Sequence, residues 1–259
     1  MARRRGSARR RRRGSGGFLY KLLSVLLICV CLVAAVTLFF RVNTVAVTGE
    51  KRYTEEQIRQ ASGVAAGDNL FLLNKYQVIR NIAEALPYIE MENTHVRRKL
   101  PDTLLIEVQE CGDPLAWEQD GTVWLVSPAG KIVEQRSDTG TYSTIDGCRL
   151  LAPSVGTRIA LDTEDEFRYQ GLLALLEALE EAGKLEEVDA VHLGDSTYIS
   201  MDYMERFTVR MDYDADFAYD LQVLELSLAS GKIQDNMTGT FDLRHREDGS
   251  IRFRQNVRG

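Results

Sequence analysis

Arg97-Arg98-Lys99-Leu100-Pro101-Asp102-Thr103-Leu104-Leu105-Ile106-Glu107-Val108 is the stretch whose reading decides the fold. Past Pro101-Asp102, Leu104, Ile106 and Val108 alternate with Leu105, Glu107 and Gln109, which is the period of a half-buried strand. Proline has no N–H to give a ladder and, beside Asp, marks a turn. Leu100-Pro101-Asp102 therefore joins two predicted strands, Ile89–Arg98 and Thr103–Glu110.

Working upstream, Thr54-Glu55-Glu56-Gln57 has the form of a capping box, and Ser62-Gly63 closes the helix it opens. Asn74 caps a second helix with Val78, Ile82, Ala85 and Leu86 on one face, halted at Pro87. Before both, Val42–Thr48 alternates as a short β-branched strand and stops at Gly49-Glu50-Lys51. The order from Val42 to Glu110 is β-α-α-β-β.

Further upstream, Phe18 to Phe40 contains one formal charge, Lys21. Crossing hydrocarbon takes roughly 20 mostly apolar residues, which this run supplies, with Lys21 placed to snorkel at its inner end. The run is too long for a secretory h-region and ends in Leu38, Phe39 and Phe40 rather than small residues, so an uncleaved anchor is expected. Arg3–Arg5 and Arg9, Arg10, Arg11, Arg12 and Arg13 precede it without an acid, and the positive-inside rule puts that tail in the cytoplasm. Residues 1–41 hold ten basic groups; without them the net charge of −6 becomes −16. So acidic an exterior is a poor binder of nucleic acid or anionic lipid.

Downstream, Asp120-Gly121 between Leu115-Ala116-Trp117 and Thr122–Val126 signals a hairpin. Lys131-Ile132-Val133, Val188–Leu193, Thr197–Met201 and Phe207–Met211 read as strands. Helices are predicted from Asp162-Thr163 to Gly183 and over Phe217–Leu228, ending at Gly231. A final hairpin runs from Gly239–His245 through Asp248-Gly249 to Ser250–Arg254. The expected class is α+β: one N-terminal transmembrane helix, a β-α-α-β-β domain, then a β-rich domain with two or more helices. The corresponding divisions are a basic tail (1–17), the span (18–40), the first domain (41–110), the β domain (111–255) and a short tail (256–259). Cys111 and Cys148 are compatible with a structural disulfide and with free core thiols.

No catalytic pattern emerges from the sequence. His95, His192 and His245 are isolated, and no His-Glu-x-x-His, Gly-x-Ser-x-Gly, Ser-x-x-Lys or phosphate-cradling glycine loop occurs. Asp212, Asp214 and Asp216 lack the glycine and distal Glu of an EF loop and read as a solvated turn. No enzyme, cofactor or metal is expected. Ser250–Arg254, with Arg252 and Arg254 beside Ile251 and Phe253, has the aromatic-plus-arginine mix of an interface, or of an edge strand guarded against aggregation.

Phe40-Arg41-Val42 leading into Val45-Ala46-Val47-Thr48-Gly49 resembles the opening of a POTRA domain, and Arg97–Val108 is similar to its closing pair, R-x-x-P-D-T-L-x-I-x-V. One such domain directly after one membrane helix resembles the FtsQ/DivIB family of bacterial cell-division proteins. The chain departs from the family's Glu-Arg-x-Pro after that pair, having Glu110-Cys111-Gly112-Asp113-Pro114 instead, so Cys111 inherits no family role. The resemblance implies a non-enzymatic membrane scaffold at the division septum, its C-terminus extracytoplasmic. Its implied partners are small FtsB/DivIC-like and FtsL-like coiled-coil proteins and, through them, the septal synthase complex. Thr240–His245 resembles the family's closing D-x-R strand; with the final strand it implies Arg244, His245, Ile251, Arg252, Phe253 and Arg254 as partner-binding residues. The alternatives are a membrane-tethered envelope hydrolase, which needs two facing carboxylates, and a chaperone binding translocated chains along Thr103–Glu110 or Glu90–Val96.

Overall fold

A 22-residue apolar stretch, Phe18–Phe39, occupies nearly all of helix α1 (Gly16–Phe39) in the computed structural model, which describes residues 16–234, 236–244 and 252–256. At 1.5 Å per residue the stretch spans about 33 Å, enough to cross hydrocarbon. Its side chains face outward on every side, and its hydroxyls turn back on the helix: Ser24 donates to the Tyr20 carbonyl at 2.7 Å and Thr37 to that of Val33 at 2.9 Å. Among the described residues this is the one helix long and apolar enough to cross a membrane, which fits a single-pass membrane protein, and the rest of the described chain is α+β, the class expected from the sequence.

The first domain after the helix follows the predicted order: β1 (Thr44–Thr48), α2 (Glu55–Ser62), α3 (Lys75–Ala85), β2 (His95–Lys99) and β3 (Thr103–Glu107). The sheet order is β1-β3-β2; β3 lies in the centre, parallel to β1 and antiparallel to β2. Ile58 of α2 and Val78 and Ile82 of α3 pack on Val47, Val96, Leu104 and Ile106. Both predicted caps form: Thr54 and Gln57 exchange the capping-box bonds, and Asn74 accepts from the N–H groups of Tyr76 and Gln77. The strand predicted from Ile89 is shorter. Ile89 makes only an isolated bridge to Glu110, and pairing begins at His95. Asn93 and Thr94 cause this, because Thr94 donates to the Glu90 carbonyl at 2.6 Å and Asn93 to the Glu90 carboxylate at 2.8 Å, which closes a local turn.

The second domain is one nine-stranded sheet with two helices. Its elements are β4 (Leu115–Gln119), β5 (Thr122–Val126), β6 (Ile132–Arg136), β7 (Thr144–Asp146), α4 (Glu166–Glu181), β8 (Val188–His192), β9 (Ile199–Tyr203), β10 (Phe207–Met211), α5 (Phe217–Ala229), β11 (Gly239–Asp242) and β12 (Arg252–Gln255). The strand order is β12-β11-β10-β9-β8-β7-β4-β5-β6, with parallel pairs at β10/β11, β7/β8 and β4/β7. The leucines of α4 (Leu172, Leu175, Leu176, Leu179) and Phe217, Leu221 and Leu224 of α5 cover one face in a single core with Trp117, Met201 and Phe241. The predicted helix start at Asp162 is a 3-10 turn, Thr163–Asp165, that leads into α4.

Alternation along β4, β5 and β6 sends Ala116, Val123, Leu125 and Val133 to the opposite face, where they pack on Tyr88 of the first domain, with Tyr53, Cys111 and Tyr142 around them. Polar bonds reinforce this junction. Tyr88 donates to Glu134 at 2.7 Å, and the Lys131 ammonium donates to the Ala83 and Ile89 carbonyls at 3.1 and 3.4 Å. Glu110 accepts the backbone N–H groups of Lys51, Arg52 and Tyr53. The Glu-Cys-Gly-Asp-Pro departure thus lies inside a packed junction. Cys111 and Cys148 are both free thiols: Cys111 belongs to the junction, while Cys148 packs against the main core.

Candidate partner-binding edge

Strand β12 ends the sheet. It pairs antiparallel with β11, Phe253 opposite Phe241 and Arg252 opposite Asp242, and among the described residues no strand lies on its other side. Period-two alternation divides its side chains. Phe253 turns to the core, its ring 4.8 Å from that of Phe241 and 6.2 Å from that of Phe207. Arg252 and Arg254 are exposed and share the other face with Thr240 and Asp242.

Gly239 makes this pairing possible. A Cβ there would collide with the Arg254 carbonyl oxygen and lie 2.7 and 2.8 Å from two Phe253 ring carbons. The bare Cα lets the last strand close on β11.

Arg244 forms a two-pronged pair with Asp242 at 2.8 and 2.9 Å, and its guanidinium lies 4.9 Å from the centre of the Tyr198 ring, which Arg210 approaches at 5.1 Å. The bond to Asp242 holds Arg244 above its ordinary value, so this side chain braces the end of β11. Of the residues expected to bind partners, Arg252, Phe253 and Arg254 lie together on the edge strand and Arg244 lies one strand in. His245, Ile251 and the topology residues Arg9, Arg10, Arg11, Arg12 and Arg13 fall outside the described residues, while Lys21 stands exposed near the start of α1.

Sequence reasoning missed Gly239 and Tyr198; it placed Asp242 in the D-x-R strand but not as the partner of Arg244. For Gly239 a signal existed, an isolated glycine opening a strand, which often marks a close backbone approach. It also missed a cluster on the outer sheet face. His192 lies between two carboxylates, Nδ1 2.9 Å from Asp146 and Nε2 3.2 Å from Asp202. Burial disfavours the charged ring, but the bonds to Asp202 and Asp146 prevail and hold the imidazole above its ordinary value. Asp202 lies on the neighbouring strand of the β8–β9 pair, but Asp146 reaches His192 only through the parallel β7–β8 pairing, 46 residues apart in sequence, which no local signal marks.

At the domain junction a cleft of about 310 Å³ is lined by Pro87, Ile89, Met91, Cys111, Ala129 and Lys131, among others. Burial pushes the Cys111 thiol up to about 12, which leaves it a poor nucleophile, and burial lowers Lys131. Among the described residues no three His, Cys, Asp or Glu side chains form a group able to hold a metal.

Residues 40–110, which contain the β-α-α-β-β unit, match the family model described as the FtsQ-type POTRA domain. The chain is 28% identical over 130 residues to cell division protein DivIB of Clostridium botulinum strain Hall, covering 49% of each protein. It is 28% identical over 139 residues to DivIB of Clostridium acetobutylicum, covering 52% of this chain and 55% of the relative. A third similarity, 32% over 89 residues, is to cell division protein FtsQ of Corynebacterium glutamicum, with 33% and 39% covered. The chain spans about half the length of the curated relatives it matches, or less. With one apolar helix long enough to cross a membrane, an FtsQ-type POTRA domain directly after it and a β domain beyond, the chain is similar in arrangement to the FtsQ/DivIB cell-division proteins.

Proposed function

We propose that the protein is a non-enzymatic scaffold of the bacterial division septum, with its arginine tail in the cytoplasm and its POTRA and β domains outside. In this reading it binds FtsB/DivIC-like and FtsL-like coiled-coil partners and so positions and regulates septal cell-wall synthesis. The observation that carries the proposal is the position of β12 at the end of the sheet, with no strand on its other side among the described residues. An unpaired edge is a template for an added strand. Each backbone bond gained there nets ~0.5–1.5 kcal/mol, so a short added strand gains a few kcal/mol and side chains must supply the rest. Arg252 and Arg254, exposed on that strand, favour a partner segment carrying acidic residues.

The POTRA strand Thr103–Glu107 fits the chaperone reading poorly, because β3 is paired on both sides; among the described residues the free edges of that sheet are those of β1 and β2. The hydrolase reading draws on Glu180, whose carboxyl is raised by burial and by the neighbouring Glu90 charge. Glu180 also accepts the Gly112 N–H at 3.3 Å, a bond that ties α4 to the junction and fits a structural role.

The test is a photoreactive residue replacing Arg254 in dividing cells, with one replacing Gln135 on the opposite edge strand as the comparison. Adducts of the Arg254 probe with a small bitopic partner are expected. Adducts at Gln135 with none at Arg254 would reject β12 as the docking edge.

A further inference from the structure

The POTRA domain leaves three large apolar side chains in the open on one loop and the first turn of α3 that follows it: Phe71 is 43% exposed, Leu72 77% and Tyr76 81%. The loop is held in that shape. The Arg98 guanidinium reaches beneath it to the carbonyls of Leu70, Phe71 and Leu73 at 2.6, 3.2 and 3.1 Å, and Asn69 accepts the Phe71 N–H at 2.9 Å.

The same loop is fastened to the end of the membrane helix. Asn69 donates to the Val36 and Thr37 carbonyls of α1 at 3.3 and 3.4 Å, and the Leu70 N–H donates to the Phe40 carbonyl at 2.8 Å. The Phe71 ring meets that of Phe40 edge-on at 4.9 Å. A second apolar tip, Leu100, 57% exposed, lies in the β2–β3 turn at the same end of the domain. The Asp102 carbonyl of that turn accepts the N–H groups of Asn43 and Thr44, the residues that follow the helix exit. Arg41 and Lys99, both exposed, supply cations beside these tips.

Resting on the reading of α1 as a bilayer span, we infer that the 69–74 loop, the start of α3 at Tyr76 and the Leu100 turn insert into the lipid interface, so that the POTRA domain sits on the leaflet from which the helix emerges. The occupant is phospholipid, because the exposed tips continue the apolar surface of the helix through Phe39 and Phe40. An amphipathic tyrosine, apolar neighbours and flanking Arg and Lys are the make-up of an interfacial anchor, the rings at headgroup level and the cations on phosphates. Such anchors reach about 5–10 Å into the headgroup and acyl boundary. A domain seated in this way presents its far end, and the β domain behind it, at a fixed height above the membrane.

The test uses the full chain, its four cysteines replaced by alanine, in phospholipid bilayers containing doxyl lipids. A fluorophore is attached at Leu72→Cys, Tyr76→Cys, Val30→Cys or Gln135→Cys. Headgroup-level doxyl is expected to quench the probes at 72 and 76 several-fold more than the probe at 135, while mid-chain doxyl quenches the probe at 30. Probes at 72 and 76 no more quenched than that at 135, with 30 still quenched, would overturn the inference and leave the span intact. A probe at 72 that is shielded from water yet not quenched would show a protein cover instead and would also overturn it. Loss of quenching at 30 would refute the span reading together with the inference.

Discussion

Gly239→Ala tests the edge strand through a single methyl group. Real Cβ atoms keep at least 3.0 Å from other heavy atoms, and this one would fall inside that limit against the Arg254 carbonyl and two Phe253 ring carbons. Backbone stands on one side and a half-buried ring on the other, so β12 must move away from β11. The pairs at risk are Gly239–Gln255 and Thr240–Arg254. Two ladder bonds at ~0.5–1.5 kcal/mol each put the loss at ~1–3 kcal/mol, offset by the ~0.5–1 kcal/mol that alanine gains over glycine in a strand. The loss is local, because the main core closes on Phe207, Val209 and Phe241 without β12. Hydrogen exchange by mass spectrometry would therefore show faster exchange over residues 252–256 with little change in β8–β10, and partner binding would fall in parallel. Gly194→Ala is the control, since a Cβ there meets nothing nearer than the Gly147 Cα at 3.9 Å. Unchanged exchange over 252–256 in Gly239→Ala would refute the argument that this glycine seats the strand.

Three further outcomes are expected. His192 bridges two carboxylates best as the doubly protonated ring, and its folded value is raised, so its contribution is complete below its unfolded value and is lost as pH rises through the folded one. Denaturant midpoints measured from about pH 6 to about pH 8.5 should fall more steeply for the natural protein than for His192→Gln, and parallel curves would contradict this. Leu125→Ala empties a fully buried site facing Tyr88 and should cost ~2–5 kcal/mol, with faster exchange at the domain junction; a loss confined to the α4 side of the sheet would contradict the assignment of Leu125 to that interface. Replacing Arg9–Arg13 with glutamine should give a mixed orientation in membranes, each arginine being worth ~1 kcal/mol near an anionic leaflet; a C-terminal reporter still wholly outside would show that these residues do not set topology.

Local signals made the POTRA domain legible. The alternation after Pro101, the Thr54 capping box and the Asn74 cap each act within a few residues, and each is present as expected. The strand start at Ile89 was misread because Asn93 and Thr94 close a turn by side-chain bonds that hydrophobic alternation does not register. In the β domain most strands were legible, but their order was not. Strand β7 has only three residues, too few for a period, yet it joins the two halves of the sheet by lying parallel to β4 and β8. Parallel pairing leaves no local turn to read, so the continuous nine-stranded sheet could not be foreseen. At the candidate site, the arginine and aromatic character of the last strand was visible, whereas the inward turn of Phe253 depends on its register with Phe241, which only the fold supplies.

The central claim is that the outer backbone of β12 receives a strand from another protein. Hydrogen exchange on the full chain in lipid nanodiscs, with and without an FtsB/DivIC-like partner, tests it most directly. New protection over Arg252–Gln255, with Glu134–Arg136 on the opposite edge unchanged, is the predicted result. Protection confined to that opposite edge or to the POTRA strands, with residues 252–255 exchanging as before, would contradict it.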